Sequence, residues 1–440
     1  MKNALKEVSK IFLEKINGKN IRVVSHFDTD GITAAAIMSL LLKKLEINFN
    51  VKIISQLDKE FIYNLKDKLS DKDILIFLDL GSSHINEIKN LDKDVFILDH
   101  HEVSEEKPNH KIHFINPHLF GKEEVSAAGV AYLLAKALQK EDKNMANLAV
   151  VGMVGDVLEK EISKLNNEIL KDAEIKIQKG LILYPSTRPI HKTLEYSNIF
   201  IPGVTGNSLG TYRLLNECGI KKENGTYKNL LELSEEELSK LITAILLRTK
   251  ISEKEIIGNI YLIKFFNKLS DAREISAIIN ACSRLGHPEV ALSLCLQNEN
   301  AKKKAEDLYV KYKQEIIKSL YFAQNNMIEG KNYIIINAKN NIKDTIIGTV
   351  MSILINSINK NQCTIIVGMA YKGNFIKVSA RISENNEEKN AREILNEIVK
   401  KIGGECGGHK RAAGCIISKE NEEKFIEILK KRLEVEVIKI

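Results

Sequence analysis

Through its first part the chain alternates short, nearly unbroken apolar runs with segments whose apolar residues recur at helical spacing. Residues 21–25, 51–55, 74–80 and 95–98 are the runs, and residues 31–42 and 58–69 carry the helical period. A strand buried on both faces reads as continuously apolar, and a parallel neighbour is reached only through a crossover helix. The pattern therefore predicts a parallel sheet of βαβ units, in which ligands bind outside the carboxyl ends of the strands. Residues 126–139 read as a helix of small and apolar residues, and residues 145–155 as a buried helix ending at Gly155-Asp156. From about residue 159 to residue 280 the period is mostly helical, with turn signals at Pro185, Pro189, Pro202-Gly203 and Gly225. Residues 298–324 are rich in Lys, Glu and Ala with few breakers, as a long helix requires. A second α/β pattern closes the chain, with strands at 333–337, 363–370 and 375–381 and helices at 390–402 and 422–433.

The expected fold class is α/β. A parallel-sheet domain spans 1–195, a mainly helical insert 196–297, a connecting helix 298–326 and a smaller α/β domain 327–440. At 440 residues, more than one domain is the natural division.

Composition narrows the class. Hydrophobic residues at 44% and charged residues at 28% allow a large core and exclude global disorder. No apolar run approaches the roughly 18 residues of a membrane span, so no membrane partner is expected. The first 16 residues alternate charge with apolar residues and read as an amphipathic helix, not a signal peptide. A cytoplasmic protein is expected. The six cysteines, Cys218, Cys282, Cys295, Cys363, Cys406 and Cys415, form no CxxC pair and read as buried thiols. Lys plus Arg total 65 against 58 for Asp plus Glu, a net +7 that permits a polyanionic partner without requiring one.

Candidate chemistry gathers where the apolar runs end. Asp28 and Asp30 follow the first run, and Gly31 frees the backbone for a tight turn into the next helix. Asp79 ends the third run, Asp99, His100 and His101 the fourth, and Asp156 follows Gly155. Any one of these aspartates alone reads better as a helix cap or turn residue. Together, beside histidines, they read as a metal site, because a carboxylate in such a place is costly unless paired or metal-bound. Hard oxygen donors mixed with imidazole suit Mn²⁺ or Mg²⁺ better than structural zinc. Several carboxylates can bridge two ions about 4 Å apart, an arrangement suited to phosphoester hydrolysis. Near the C-terminus, Gly407-Gly408 and Ala412-Ala413-Gly414 leave little side-chain bulk around His409, Lys410 and Arg411. Backbone amides there could approach a phosphate, although on composition alone a flexible surface loop with incidental basic residues is the better reading.

These motifs resemble the DHH phosphoesterase superfamily, and within it the archaeal RecJ-like single-strand exonuclease branch. The resemblance rests on His26-Phe27-Asp28-Thr29-Asp30-Gly31, on Asp79 with Gly81-Ser82-Ser83, and on Asp99-His100-His101. It extends to Gly155-Asp156 and to the segment from Gly407-Gly408-His409 through Gly414, which is similar to the DHH-associated domain. The resemblance implies two divalent ions, Mn²⁺ foremost, with Mg²⁺ or Co²⁺ as substitutes. It implies His26, Asp28 and Asp79 as ligands of one ion, and Asp30, Asp79, His100 and Asp156 as ligands of the other. Asp99 is implied to orient a histidine, His101 to face the scissile phosphate, and Asp30 to serve catalysis as well as binding. Arg381, Gly407, Gly408, His409, Lys410 and Arg411 are implied to hold substrate phosphate.

The activity implied is hydrolysis of single-stranded DNA or RNA from an end, 5′ to 3′, by a metal-bound hydroxide, in replication or repair. Two alternatives stay open. One is a phosphodiesterase of short oligonucleotides or cyclic dinucleotides. The other is a replisome scaffold, since archaeal relatives bind the GINS complex and a eukaryotic relative has lost its catalytic residues. The family's bacterial members carry an added oligonucleotide-binding barrel, which is expected to be absent here because the chain ends soon after Gly414. Arg273, Arg284 and His287 are candidates to line a substrate path.

Overall fold

The structure is a computed structural model that describes all residues except 104–107, 122, 198, 250, 358–364, 384–388 and 436–440. Cys363, the first residue of one expected strand, lies outside the described residues. The chain forms two compact units, one of Met1–Gly180 with Gly258–Tyr309, the other of Leu181–Ile257 with Val310–Ile440.

The first unit begins with helix α1 (Lys2–Ile16), then β1 (Asn20–His26), α2 (Thr29–Lys44), β2 (Phe49–Ile54), α3 (Lys59–Lys66) and β3 (Asp73–Leu78). Helix α4 (Ile85–Lys89), β4 (Val95–Leu98), β5 (Ile112–Ile115), α5 (Ala127–Ala137) and α6 (Lys143–Gly155) follow. The five strands pair in the order β2-β1-β3-β4-β5, all parallel. Every residue of β3 and β4 is buried, which is why both read as unbroken apolar runs. The chain winds outward from β1 to β2 and then crosses back to β3, so the order reverses between β1 and β3. Such a switch point opens a ligand crevice at the strands' carboxyl ends. Asp28 and Asp30 follow β1 there, and Asp79 follows β3.

Helix α2 is buried along nearly its whole length and packs against both α5 and α6. Small residues make that approach possible. A Cβ on Gly152 of α6 would stand 2.5 Å from the Ala128 Cβ and 2.6 Å from Asp30 Oδ1.

The span 159–280 is less helical than its period implies. Strands Ile175–Leu181, Ile257–Phe265 and Lys268–Asp271 form a three-stranded sheet. The span expected as one insert, 196–297, is divided. Residues 181–257, with helices Ile190–Glu195, Ser208–Glu217 and Glu235–Arg248, belong to the second unit. After residue 257 the chain returns to the first unit, where helices Ala272–Arg284 and Pro288–Cys295 pack against α2. The long helix Glu299–Asn325 then runs from one unit into the other.

The second unit carries a six-stranded sheet whose order runs Glu405–Gly408, Ala412–Ser418, Phe375–Ile382, Ile365–Lys372, Tyr333–Lys339, Ile328–Glu329. Only Tyr333–Lys339 and Ile365–Lys372 are parallel. Helices Ala391–Ile402 and Glu422–Val435 close its core through Ile394, Leu395, Ile398, Phe425 and Leu429. The glycine-rich stretch is a β-hairpin, not a loop. Gly408 adopts φ +114°, and a Cβ there would fall 2.6 Å from Ala412 O, so a side chain would prevent the close pairing. Cys218, Cys282, Cys295 and Cys415 are buried free thiols, and Cys406 is half-buried.

The Gly152 contacts yield a test. Gly152→Ala should destabilise the protein by about 1–3 kcal/mol through overpacking against Ala128 and Asp30. Denaturant unfolding measures it, and a change below about 0.5 kcal/mol would mean that α6 shifts freely.

Candidate metal centre

The eight side chains expected around the metal site lie in the first unit: His26, Asp28, Asp30, Asp79, Asp99, His100, His101 and Asp156. His26 Nδ1 is 2.9 Å from Asp28 Oδ2 and 3.2 Å from Asp79 Oδ2. His100 Nε2 is 3.2 Å from Asp156 Oδ2, 3.3 Å from Asp79 Oδ1 and 3.7 Å from Asp30 Oδ2. Three overlapping groups result, with donor atoms within 4.8 Å of one another: His26, Asp28 and Asp79; Asp30, His100 and Asp156; Asp79, His100 and His101. The third group adds His101 to the possible donors, a role the sequence did not assign to it.

Local structure fixes each carboxylate. Asp28 caps α2, with Oδ1 accepting from Gly31 N at 3.1 Å. Asp30 is fully buried, and its oxygens accept from the first two amides of α5, Ala127 N at 2.5 Å and Ala128 N at 2.9 Å. A helix N-terminus is a favourable place for negative charge. Asp79 sits at φ +60°, in the left-handed region that few side chains adopt. Its backbone N–H donates to Leu98 O at 2.9 Å, which ties the turn after β3 to the end of β4. Asp156 follows the last turn of α6.

Asp99 is engaged differently. Its Oδ2 accepts from Ser82 N at 3.0 Å, and its Oδ1 from His100 N at 2.8 Å and His101 Nδ1 at 2.8 Å. Both oxygens thus hold neighbouring loops and the His101 ring. Asn116 reinforces the same corner, donating to Ser82 Oγ at 3.0 Å and His101 O at 2.8 Å.

The donor set fits divalent cations. Asp79 Oδ1 is buried and accepts no aligned hydrogen bond, although His100 and His101 nitrogens lie 3.3 and 3.7 Å away. A buried oxygen in that state is costly unless something positive meets it. Carboxylate oxygens with imidazole nitrogens are the donors that Mn²⁺ and Mg²⁺ take.

The protonation states record the crowding. Burial, with Asp79 adding repulsion, pushes Asp30 up to about 7. Burial and the Asp30 charge hold Asp156 well above the usual carboxylate range. Burial works against protonating His26 and His100, yet the carboxylates around each raise both well above the ordinary imidazole value. Burial likewise opposes ionisation of Asp28 and Asp99, but His26 beside the first and His101 bonded to the second keep both low.

In the second unit, Arg381 lies opposite Ala412 in the sheet register, on the strand beside the glycine hairpin. Its Nε donates to Ser352 Oγ at 2.8 Å. Gly407, Gly408, His409, Lys410 and Arg411 are exposed at the hairpin's end, where His409 N donates to Ala412 O at 2.8 Å. Arg273, a candidate for a substrate path, is instead buried and paired with Glu159 at 3.2 Å. Sequence reasoning missed the α5 amides on Asp30 and the role of Gly152. The Ser126-Ala127-Ala128-Gly129 run was the available signal, since a serine cap before small residues marks an open helix N-terminus.

Residues 20–153 match the family model described as "DHH family, N-terminal domain", residues 183–257 the "DHH-CID domain" and residues 330–435 the "DHHA1 domain". The chain belongs to the DHH family of phosphoesterases. Within that family it is RecJ-like. An uncharacterized protein of Methanocaldococcus jannaschii is 28% identical over 97% of both chains. The single-stranded-DNA-specific exonuclease RecJ of Thermus thermophilus is 29% identical over 35% of this chain and 25% of its own. The crystal structure of that RecJ with Mn²⁺ superposes with a TM-score of 0.63 at 20% identity, covering 98% of this chain and 54% of RecJ. This chain thus spans about half of the bacterial enzyme. CDC45 from Entamoeba histolytica superposes with a TM-score of 0.67 at 13% identity, covering 98% of both chains, which is likeness of fold alone. Among the described residues no helix is long and apolar enough to cross a membrane.

The titrating groups give a pH test for the metal-free protein. An unfolded aspartate titrates near 3.9, whereas folded Asp30 keeps its proton up to about 7. Between those values the native state binds more protons, so stability falls as pH rises. The raised His26 and His100 act in the same direction above pH ~6.5, because their stabilisation is lost as pH climbs through their folded values. The melting temperature without metal should therefore drop from pH ~5 to ~8, above the range in which the depressed Asp28 and Asp99 act the opposite way. Ligands must shed protons to bind, so Mn²⁺ should raise it more at pH 8 than at pH 5. A scanning-fluorimetry profile flat with pH, or an equal Mn²⁺ shift at both values, would count against this centre.

Proposed function

We propose that the chain is a metal-dependent nuclease that degrades single-stranded DNA or RNA from an end, 5′ to 3′, in cytoplasmic replication or repair. One observation carries the reading: two groups of donors share Asp79, whose buried Oδ1 has no aligned partner, at the switch point of a parallel sheet. His26, Asp28 and Asp79 would hold one divalent ion, and Asp30, Asp79, His100 and Asp156 another. When bound, such a pair activates water and neutralises charge on phosphorus. Asp99 orients the His101 ring, whose half-exposed side chain stabilises the phosphate under attack. The hairpin from Gly407 to Arg411, with Arg381 on the adjoining strand, holds further phosphates. Exposed small residues and cationic groups there fit a polyanion. The resemblance to a Mn²⁺-bound RecJ supports manganese as the working ion.

A purely structural role in a replisome, with a GINS-type partner, is the second reading, and the CDC45 likeness is its support. It leaves unexplained why four carboxylates crowd together at a cost that a bound cation would relieve. A phosphodiesterase for dinucleotides is the third reading.

Digestion of end-labelled single-stranded DNA and RNA, with Mn²⁺, Mg²⁺ or chelator, decides among them. Activity should need Mn²⁺ or Mg²⁺, favour long strands over dinucleotides and release products from the 5′ end. Equal rates on dinucleotides and long strands would favour the third reading, and no hydrolysis by a folded protein the second. Asp79→Asn and His100→Ala should each cut kcat at least 100-fold while leaving strand binding within a few-fold. His409→Ala should raise KM and lower kcat together. Wild-type rates in Asp79→Asn would refute the site.

A further inference from the structure

We infer that helix Ala272–Arg284 is a brace that positions the carboxylate loops of the metal centre, with Ser276 and Arg273 as its positioning residues. The inference rests on the metal-dependent reading above and assigns a task to the segment that returns after residue 257.

Thr29 lies between Asp28 and Asp30. Its Oγ1 is 3.0 Å from Ser276 O and 3.0 Å from Ser276 Oγ, a contact across 247 residues of sequence. Both residues are buried, so water cannot substitute for either bond. Gly155, immediately before Asp156, borders the same point: a Cβ there would stand 2.8 Å from Thr29 Cβ and 3.6 Å from Ser276 Oγ. The segments bearing Asp28, Asp30 and Asp156 thus converge on one serine.

One helical turn earlier, Arg273 grips the far side of Asp156. Its Nη2 is 3.2 Å from Glu159 Oε1, and its Nη1 donates to Asn259 O at 2.9 Å. Glu159 stands in the 3₁₀ turn Leu158–Lys160, just beyond Asp156. Between them Val157 adopts φ +61°, a conformation that β-branched residues disfavour. Its side chain is exposed, so packing does not hold it there. The anchors on either side, Gly155 against Thr29 and Glu159 on Arg273, hold that turn instead. A buried ion pair adds little net stability but fixes geometry, and geometry is what mutually repelling carboxylates need. Glu159 Oε2 is buried without an aligned partner, so Arg273 is the group that keeps this carboxylate compensated.

The test uses the full chain and two readouts besides turnover: Mn²⁺ affinity, from the electron paramagnetic resonance of free Mn²⁺, and melting without metal. Thr29→Val keeps the side chain's shape and removes its hydroxyl. It should weaken Mn²⁺ binding about tenfold or more, the cost typical of losing an outer-sphere partner, while lowering metal-free stability by no more than the cost of one lost buried hydrogen bond. Thr29→Ser restores the hydroxyl and should return affinity to within about twofold of wild type. Arg273→Lys keeps the charge, loses the fork and should also weaken binding several-fold. If Thr29→Val and Arg273→Lys both bind Mn²⁺ like wild type, or Thr29→Ser binds as weakly as Thr29→Val, the brace is refuted. A wild-type chain that takes up no Mn²⁺ refutes the metal reading itself, and the brace with it.

Discussion

Repulsion among carboxylates is the constraint around which the first unit is organised. Asp28, Asp30, Asp79 and Asp156 meet at one end of a parallel sheet, and Asp79 is common to two of the donor groups. Left alone, such charges would take up protons or move apart. The fold prevents movement by securing each carboxylate from a different direction. Asp28 is tied to its own helix cap, Asp30 to the amides of α5, and Asp79 to a left-handed turn stitched to β4. The surrounding packing serves that end, since α6 comes this close to Asp30 of α2 and Ala128 of α5 because Gly152 has no side chain.

The sheet and the centre were legible in the sequence because both depend on local pattern. Parallel strands buried on both faces leave unbroken apolar runs, and loops at their carboxyl ends leave aspartates and histidines directly after them. The α/β class, the order of the early elements and the gathering of His26, Asp28, Asp79, His100 and Asp156 all follow from those signals. What escaped depends on contacts distant in sequence. No periodicity indicates that Ser276 meets Thr29, or that the Asp30 carboxylate lies over the start of α5. Arg273 read as a candidate for a substrate path, and only the packed structure pairs it with Glu159.

Strands were missed where their chemistry imitates something else. Ile175–Leu181 carries lysines and a glutamine on a partly exposed edge, so its apolar residues are too few to outweigh a helical reading. The glycine hairpin gave no alternating pattern, because its pairing depends on lacking side chains. Gly414 shows the same requirement, since a Cβ there would stand 3.0 Å from Val378 O on the adjoining strand.

The division of the chain follows from how the first unit is closed. Residues 181–257 leave and return through Ile175–Leu181 and Ile257–Phe265, which are hydrogen-bonded neighbours in one small sheet. An excursion whose ends are already paired costs its host little, because the host's backbone bonds are satisfied before the chain departs. The returning chain then builds Lys268–Asp271 and the helix Ala272–Arg284 directly onto that sheet. Asp271 caps the helix through Arg273 N at 2.9 Å, so the register of the small sheet sets where Arg273 and Ser276 stand against α2 and α6. The candidate metal centre is therefore bordered by residues far along the chain, Ser276 against Thr29 and Arg273 against Glu159.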